Sequence, residues 1–197
     1  ISVGCTGLWS EEQAQAFKPI IKFVHDQGAK IGIQLAHAGR KGSTMLPWDD
    51  HEIAAQNEGG WTTISASAIS YKDFPVPKQM SVEEIQTLAN KFVEASTRAV
   101  KAGFDVIELH AAHGYLFHQF LSPITNQRQD AYGGSFENRI RFLVETSELV
   151  RVAIGSEIPL FVRISATDWV EGGWDTEQSI RLCKILKEVG VDLIDVS

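Results

Sequence analysis

The sequence predicts an α/β chain in which about four βα units form part of a (β/α)8 barrel, with residues 1–197 making one domain. Three observations predict it. A helical pattern, a glycine, a short β-prone run and then a loop recur four times, which is the order of parallel βα units. Polar side chains fall on one face of the predicted strands, near their ends. The longest loops, 42–78 and 111–134, follow strands and not helices, as a barrel with chemistry at its C-terminal mouth requires.

The elements follow in order. Ser10 with Gln13 is a capping box for a helix whose Phe17, Ile20, Ile21 and Val24 share a face. It stops at Gly28, before the run Lys30 to Ala36. Loop 42–78, rich in Trp, Pro, Ser and Gly, is either an irregular surface insertion or a cover for the mouth, and its Thr62 to Tyr71 stretch is suited to a small hairpin. Ser81 with Glu84 caps the second helix, with Ile85, Leu88, Phe92 and Ala99 inward; Gly103 ends it before Phe104 to His110. Gly134 and Ser135 open the third, carrying Leu143, Thr146, Val150 and Ala153; Gly155 precedes Leu160 to Ser165. Asp175 and Gln178 open the fourth, with Leu182, Leu186 and Val189; Gly190 precedes Val191 to Ser197.

Side-chain alternation distinguishes a barrel from a sheet covered on both sides. Ile31, Ile33 and Leu35, then Ile107 and Leu109, then Leu160, Val162 and Ile164 form faces that belong under helices. The opposite faces carry Gly32 and Gln34, Glu108 and His110, Phe161 and Arg163, then Leu193, Asp195 and Ser197. A doubly covered parallel sheet is apolar on both sides, whereas a barrel mouth tolerates polar groups. A complete barrel takes about 250 residues, so the chain reads as a fragment. Its two free sheet edges predict association of the isolated chain into a homo-oligomer, most simply a dimer.

Composition narrows the function. Lys and Arg number 18 against 25 Asp and Glu, a net charge of −7 with no long run of one sign, which points away from nucleic acid and anionic membranes. Two cysteines, Cys5 and Cys183, form neither a disulfide framework nor a metal set, and a reducing cytoplasm is the expected compartment. No apolar stretch approaches the roughly 20 residues of a membrane helix.

The segment His110-Ala-Ala-His113-Gly-Tyr115 begins at a strand end and brings two imidazoles and a phenol to the mouth. Such a set can bind a carbonyl oxygen that gains negative charge and can supply a proton. The same pair could ligate zinc, with His37 the evident third candidate, or be satisfied core histidines. Gln34 offers a carboxamide and Arg163 a permanent cation on the same polar face. They suit the pyrimidine edge of a flavin and the charge near its N1; Arg163 also suits an ion pair with Glu108 or Asp195. Trp48, Trp61, Trp169 and Trp174 lie in loops after strands and either line the entrance, pack, or stand exposed.

Five segments together carry a family resemblance. Gln34-Leu-Ala-His-Ala-Gly-Arg-Lys41, His110-Ala-Ala-His-Gly-Tyr115, Phe120-Leu-Ser-Pro123, the run from Asn126 to Arg139 and Phe161-Val-Arg-Ile-Ser165 resemble the old yellow enzyme family of FMN-dependent ene-reductases, in its xenobiotic-reductase-like branch. The resemblance implies a TIM barrel of which this chain covers the third to sixth strands. It also implies FMN as cofactor, NADPH or NADH as reductant, and a small-molecule enone or similar electron-poor alkene as substrate. By the same resemblance Gln34 and Arg163 contact the flavin, His110 and His113 hold the substrate oxygen, and Tyr115 protonates the substrate carbon. Arg128, Asp130, Glu137, Asn138 and Arg139 are read as loop-ordering and capping groups, and His37, Arg40 and Lys41 as supports behind the site. The competing readings are a non-catalytic half-barrel that needs a complementary segment, and part of a dienoyl-CoA-reductase-like iron–sulfur flavoenzyme.

Overall fold

The computed structural model describes residues 1–197. Helix α1 (Glu11–Asp26) leads into strand β1 (Gly32–Leu35), and a 3-10 turn at Gly39–Lys41 opens the long insertion. Within the insertion lie two short strands, β2 (Ile64–Ser65) and β3 (Lys78–Gln79). Then come α2 (Val82–Ala102), β4 (Val106–Ala111), the short α3 (Leu116–Leu121), α4 (Phe136–Ile154), β5 (Leu160–Ile164), α5 (Thr176–Glu188) and β6 (Leu193–Val196).

The main sheet is parallel in the order β1-β4-β5-β6, so each new βα unit adds its strand beside the last. Four consecutive neighbouring strands with helices on one side make a half-barrel wall. The sequence-predicted strand runs contain the observed strands with one or two residues of overhang, apart from β4, which extends to Ala111. Capping boxes form at Ser10 with Gln13 and at Ser81 with Glu84, while Ser135 and Asp175 accept from Asn138 and Gln178 N–H. Gly28, Gly103, Gly155 and Gly190 all take positive φ, between 73° and 109°. The turn out of each helix therefore uses a backbone region that a side chain would disfavour.

The two sheet faces differ as their side chains require. Leu160, Val162 and Ile164 are fully buried beneath the helices, whereas Phe161 and Arg163 are only half-buried on the concave face. Ile107 and Leu109 join the same core, where Phe92, Phe117, Phe120 and Phe142 pack ring against ring at centroid distances of 4.6 to 4.9 Å. Register sets Gln34 beside Glu108 and Phe161, and one layer higher His110 beside Arg163 and Asp195.

Two expectations need correction, and one open reading is resolved. Ile20 is 53% exposed although Ile21 on the same helix is buried, and Phe23 is exposed too. Helix α1 packs on α2, with Phe17 against Phe104, and this contact covers only part of its apolar face. The Thr62 to Tyr71 stretch is not a hairpin; Ile64–Ser65 pair in parallel with Lys78–Gln79. The cause is a buried guanidinium: Arg128 Nη1 donates to both Ala66 and Met80 carbonyls, at 2.9 and 2.6 Å, holding the two segments side by side. Finally, the tryptophans divide. Trp169 is 90% exposed and Trp48 and Trp61 are exposed, but Trp174 is buried, stacked on Phe136 and donating its indole N–H to Ser179.

Candidate active site

Strand β4 delivers His110 to the concave face, and the chain then turns through Ala112 to Tyr115, the N-cap residue of α3. His113 and Gly114 both adopt left-handed backbone, with φ of 58° and 69°. For His113 this conformation is uncommon and needs outside support. Ser165 Oγ, just past β5, accepts the His113 N–H at 2.9 Å; Lys41 Nζ donates to the His113 carbonyl at 3.0 Å. The result is a compact cluster. The His110 ring centre lies 5.1 Å from that of His113 and 5.2 Å from that of Tyr115, both edge to face.

Electrostatics set the protonation states. Burial, followed by the positive charges of His113, Arg163 and His118, lowers the His110 pKa to about 4. Burial also lowers that of His113, with Arg163, His118 and Lys41 adding to the effect. Both imidazoles are therefore neutral at pH 7, and each offers one N–H. Burial, with smaller effects from Tyr71 and Cys5, raises the Tyr115 phenol above its ordinary value, keeping its proton in place. Neutral N–H donors beside a protonated phenol suit a carbonyl substrate that becomes an enolate and is then protonated.

The cofactor candidates lie on the same concave wall. Gln34 Nε2 donates to Glu108 at 2.5 Å, so the carboxamide carbonyl is directed by its neighbour. Arg163 Nε lies 3.2 Å from Asp195 Oδ2, and both ion-pair and lumen positions foreseen for it coincide. That contact is out of line for a hydrogen bond, and Nε is buried without a partner, as is His110 Nδ1. Arg163 and His110 are neighbours in the strand register of the concave face, and a buried nitrogen left without a partner carries a desolvation cost that an acceptor-bearing ring such as the flavin pyrimidine would offset. His110 and His113 gather no third His, Cys, Asp or Glu into a metal-binding cluster. His37 instead uses Nδ1 to accept the Gly39 N–H at 3.0 Å.

The supporting residues occupy the places expected for order rather than chemistry. Arg128 pairs with Asp130 through Nε and Nη2 while holding the insertion. Arg139 donates to the Leu121 and Gly134 carbonyls and to Gln178; Asn138 donates to the Asp130 and Gly133 carbonyls, and Glu137 pairs with Arg181. Arg40 reaches the Ile69 and Ser70 carbonyls.

Several contributors escaped sequence reasoning. Gln119 is fully buried, takes hydrogen bonds from Arg40 N–H and Ser65 Oγ, and donates to the Gly114 and Ala38 carbonyls. His118 Nε2 meets Asp168 at 2.7 Å, and Asp168 also accepts from Ser122 Oγ and Trp174 N–H. The signal was present: His118 and Gln119 are the polar pair inside the otherwise apolar run Leu116 to Leu121. A polar residue inside a buried apolar run requires a partner.

The chain is thus part of a parallel α/β barrel wall with paired histidines, a tyrosine and an arginine toward the C-terminal ends of its strands. Residues 3–197 match the model of the NADH:flavin oxidoreductase / NADH oxidase family, and the chain belongs to that family. It is 50% identical to NADH:flavin oxidoreductase FG08077 of Gibberella zeae, over 97% of this chain and 50% of that protein. It is 47% identical to the NADPH dehydrogenase of Bacillus velezensis, over 97% of this chain and 52% of that enzyme. The old yellow enzyme homologue from Zymomonas mobilis superposes with a TM-score of 0.80 at 32% identity, over 96% of this chain and 54% of that one. The chain thus spans about half the length of the curated relatives it matches, and its fold is part of a TIM barrel.

Proposed function

We propose that this chain supplies the substrate-activating half of an FMN-dependent oxidoreductase that uses NADPH or NADH to reduce the C=C bond of α,β-unsaturated carbonyl compounds. The observation that carries the reading is the convergence of neutral His110 and His113 with protonated Tyr115, beside the orphaned Arg163 nitrogen. Gln34 and Arg163 would hold the flavin, Gln34 through its carboxamide and Arg163 through charge. When bound, FMN would supply the hydride-transfer chemistry of the reaction.

This chain's residues do the rest. His110 and His113 donate N–H bonds to the carbonyl oxygen, drawing electron density away from the β-carbon and stabilising the enolate oxygen. Tyr115 then gives its phenolic proton to the α-carbon. The family match and the similarity to NADPH dehydrogenases support both the cofactor and the reductant.

Tyr115→Phe in the full-length holoenzyme tests the assignment. It removes one hydroxyl, so flavin reduction by NAD(P)H should survive while enone turnover falls by roughly 10²- to 10⁴-fold, the range for losing a positioned acid. Undiminished enone reduction would show that another group delivers the proton.

A further inference from the structure

Besides Ser165 and Gln119, the turn that carries His113 and Tyr115 is held by a charged side chain from a different βα unit. Lys41 ends the 3-10 turn after β1. Its Nζ donates to the His113 carbonyl at 3.0 Å and lies 4.7 Å from the ring centre of Tyr115 and 4.9 Å from that of Tyr71. A Cβ on Gly114 would sit 3.8 Å from Lys41 Cδ, so the aliphatic stem runs along the turn. The ammonium is thus surrounded by a carbonyl and two aromatic rings.

We propose that Lys41 is a positioning residue for proton transfer: it holds the left-handed His113–Gly114 turn and stabilises the phenolate that Tyr115 becomes. The proposal rests on Tyr115 as the acid. In that step the Tyr115 O–H bond breaks and its electron pair stays on oxygen, while the enolate's pair forms the new C–H bond. No electron is gained or lost by the protein, and water returns the proton to the phenolate. A cation over an aromatic face is attracted to the ring, and more strongly once the ring bears part of a negative charge. The interaction therefore grows along the reaction coordinate, which is what lowers a barrier. Around the phenol, the Tyr71 and Cys5 side chains oppose its ionisation and the His110 ring packs edge-on; the cation over its ring face is Lys41.

The test uses the full-length holoenzyme. Lys41→Gln keeps a hydrogen-bond donor for the His113 carbonyl but removes the charge, Lys41→Met removes both, and Lys41→Arg keeps the charge. Stopped-flow oxidation of the reduced enzyme by cyclohexenone should slow about 3- to 30-fold in Lys41→Gln and Lys41→Met, from the size of a cation–π contact. The Lys41→Arg rate should recover most of this. In a Tyr115→Phe background, Lys41→Gln should add no further loss. A readout independent of turnover is the ¹³Cζ-tyrosine NMR titration, with the Tyr115 resonance assigned by its disappearance in Tyr115→Phe; Lys41→Gln should move its ionisation to higher pH. Losses that simply add to those of Tyr115→Phe, an arginine variant as slow as the glutamine one, or an unmoved Tyr115 titration would each overturn the role of Lys41. If Tyr115→Phe alone leaves enone turnover intact, the acid assignment itself fails and the proposal falls with it. Cooperative unfolding and flavin absorbance of each variant establish that the comparison is between folded enzymes.

Discussion

Mild acid should destabilise this fold through two imidazoles. Burial lowers His37 from 6.5 to about 4, and burial with neighbouring positive charge does the same to His110. His37 has a specific reason to stay neutral, since its Nδ1 must accept the Gly39 N–H. Each folded pKa lies below its unfolded value, so below pH 6.5 the unfolded chain binds more protons and stability falls with falling pH. At 1.36 kcal/mol per pKa unit, each imidazole costs about 2 kcal/mol by pH 5 and about 3 kcal/mol below pH 4. The two together remove about 4 kcal/mol at pH 5, a large part of a typical 5–15 kcal/mol. His51, raised by Glu58, acts in the opposite sense and is exposed. Asp130, Asp168 and Asp175 are held below the usual carboxylate range, so their contributions are lost only as pH falls past about 4. The assay is urea unfolding by circular dichroism at steps from pH 7.5 to 5.0, for the wild type and for His37→Asn with His110→Asn. The double variant should lose most of the slope. A flat wild-type profile over this window, or an equal slope in the double variant, would refute the burial argument.

Three further outcomes are expected. Arg128→Met should cost about 3–5 kcal/mol, since the Ala66 and Met80 carbonyls and Asp130 lose a buried cation, and amide exchange should rise first at 63–80. Gly133→Ala should cost at least about 1–3 kcal/mol in a thermal melt, because its Cβ would fall 2.6 Å from the Arg128 carbonyl oxygen, a backbone atom that cannot step aside. Trp169→Asn should leave stability in the same melt unchanged or raise it by up to about 1 kcal/mol, since a 90% exposed ring gives little packing and asparagine tolerates φ of 59°.

Local rules made the repeating wall legible. Capping side chains and helix-ending glycines act within a few residues, and the alternation of Leu160, Phe161, Val162, Arg163 and Ile164 is enough to say which face is covered. The concave placement of Gln34, His110 and Arg163 follows from that alternation alone. What escaped was set by distant partners. Ser65 and Ala66 are positioned by Gln119 and Arg128, more than fifty residues downstream, so no local pattern showed that β2 pairs in parallel. Helix α3 is buried on every residue and therefore lacks the one-sided periodicity that marks a surface helix. Ile20 was misassigned for the converse reason: its helical face is apolar, but the packing of α1 leaves it uncovered.

The dependence of the insertion on Gln119 and Arg128 has an order in time. A ribosome adds about 5–20 residues per second, and residues 42–78 emerge well before the side chains that hold Ser65, Ala66 and Met80. For several seconds during each round of synthesis this tryptophan-bearing segment lacks the side chains that clasp it in the finished fold. The pairing of its two short strands therefore waits until the run from Gln119 to Arg128 clears the exit tunnel.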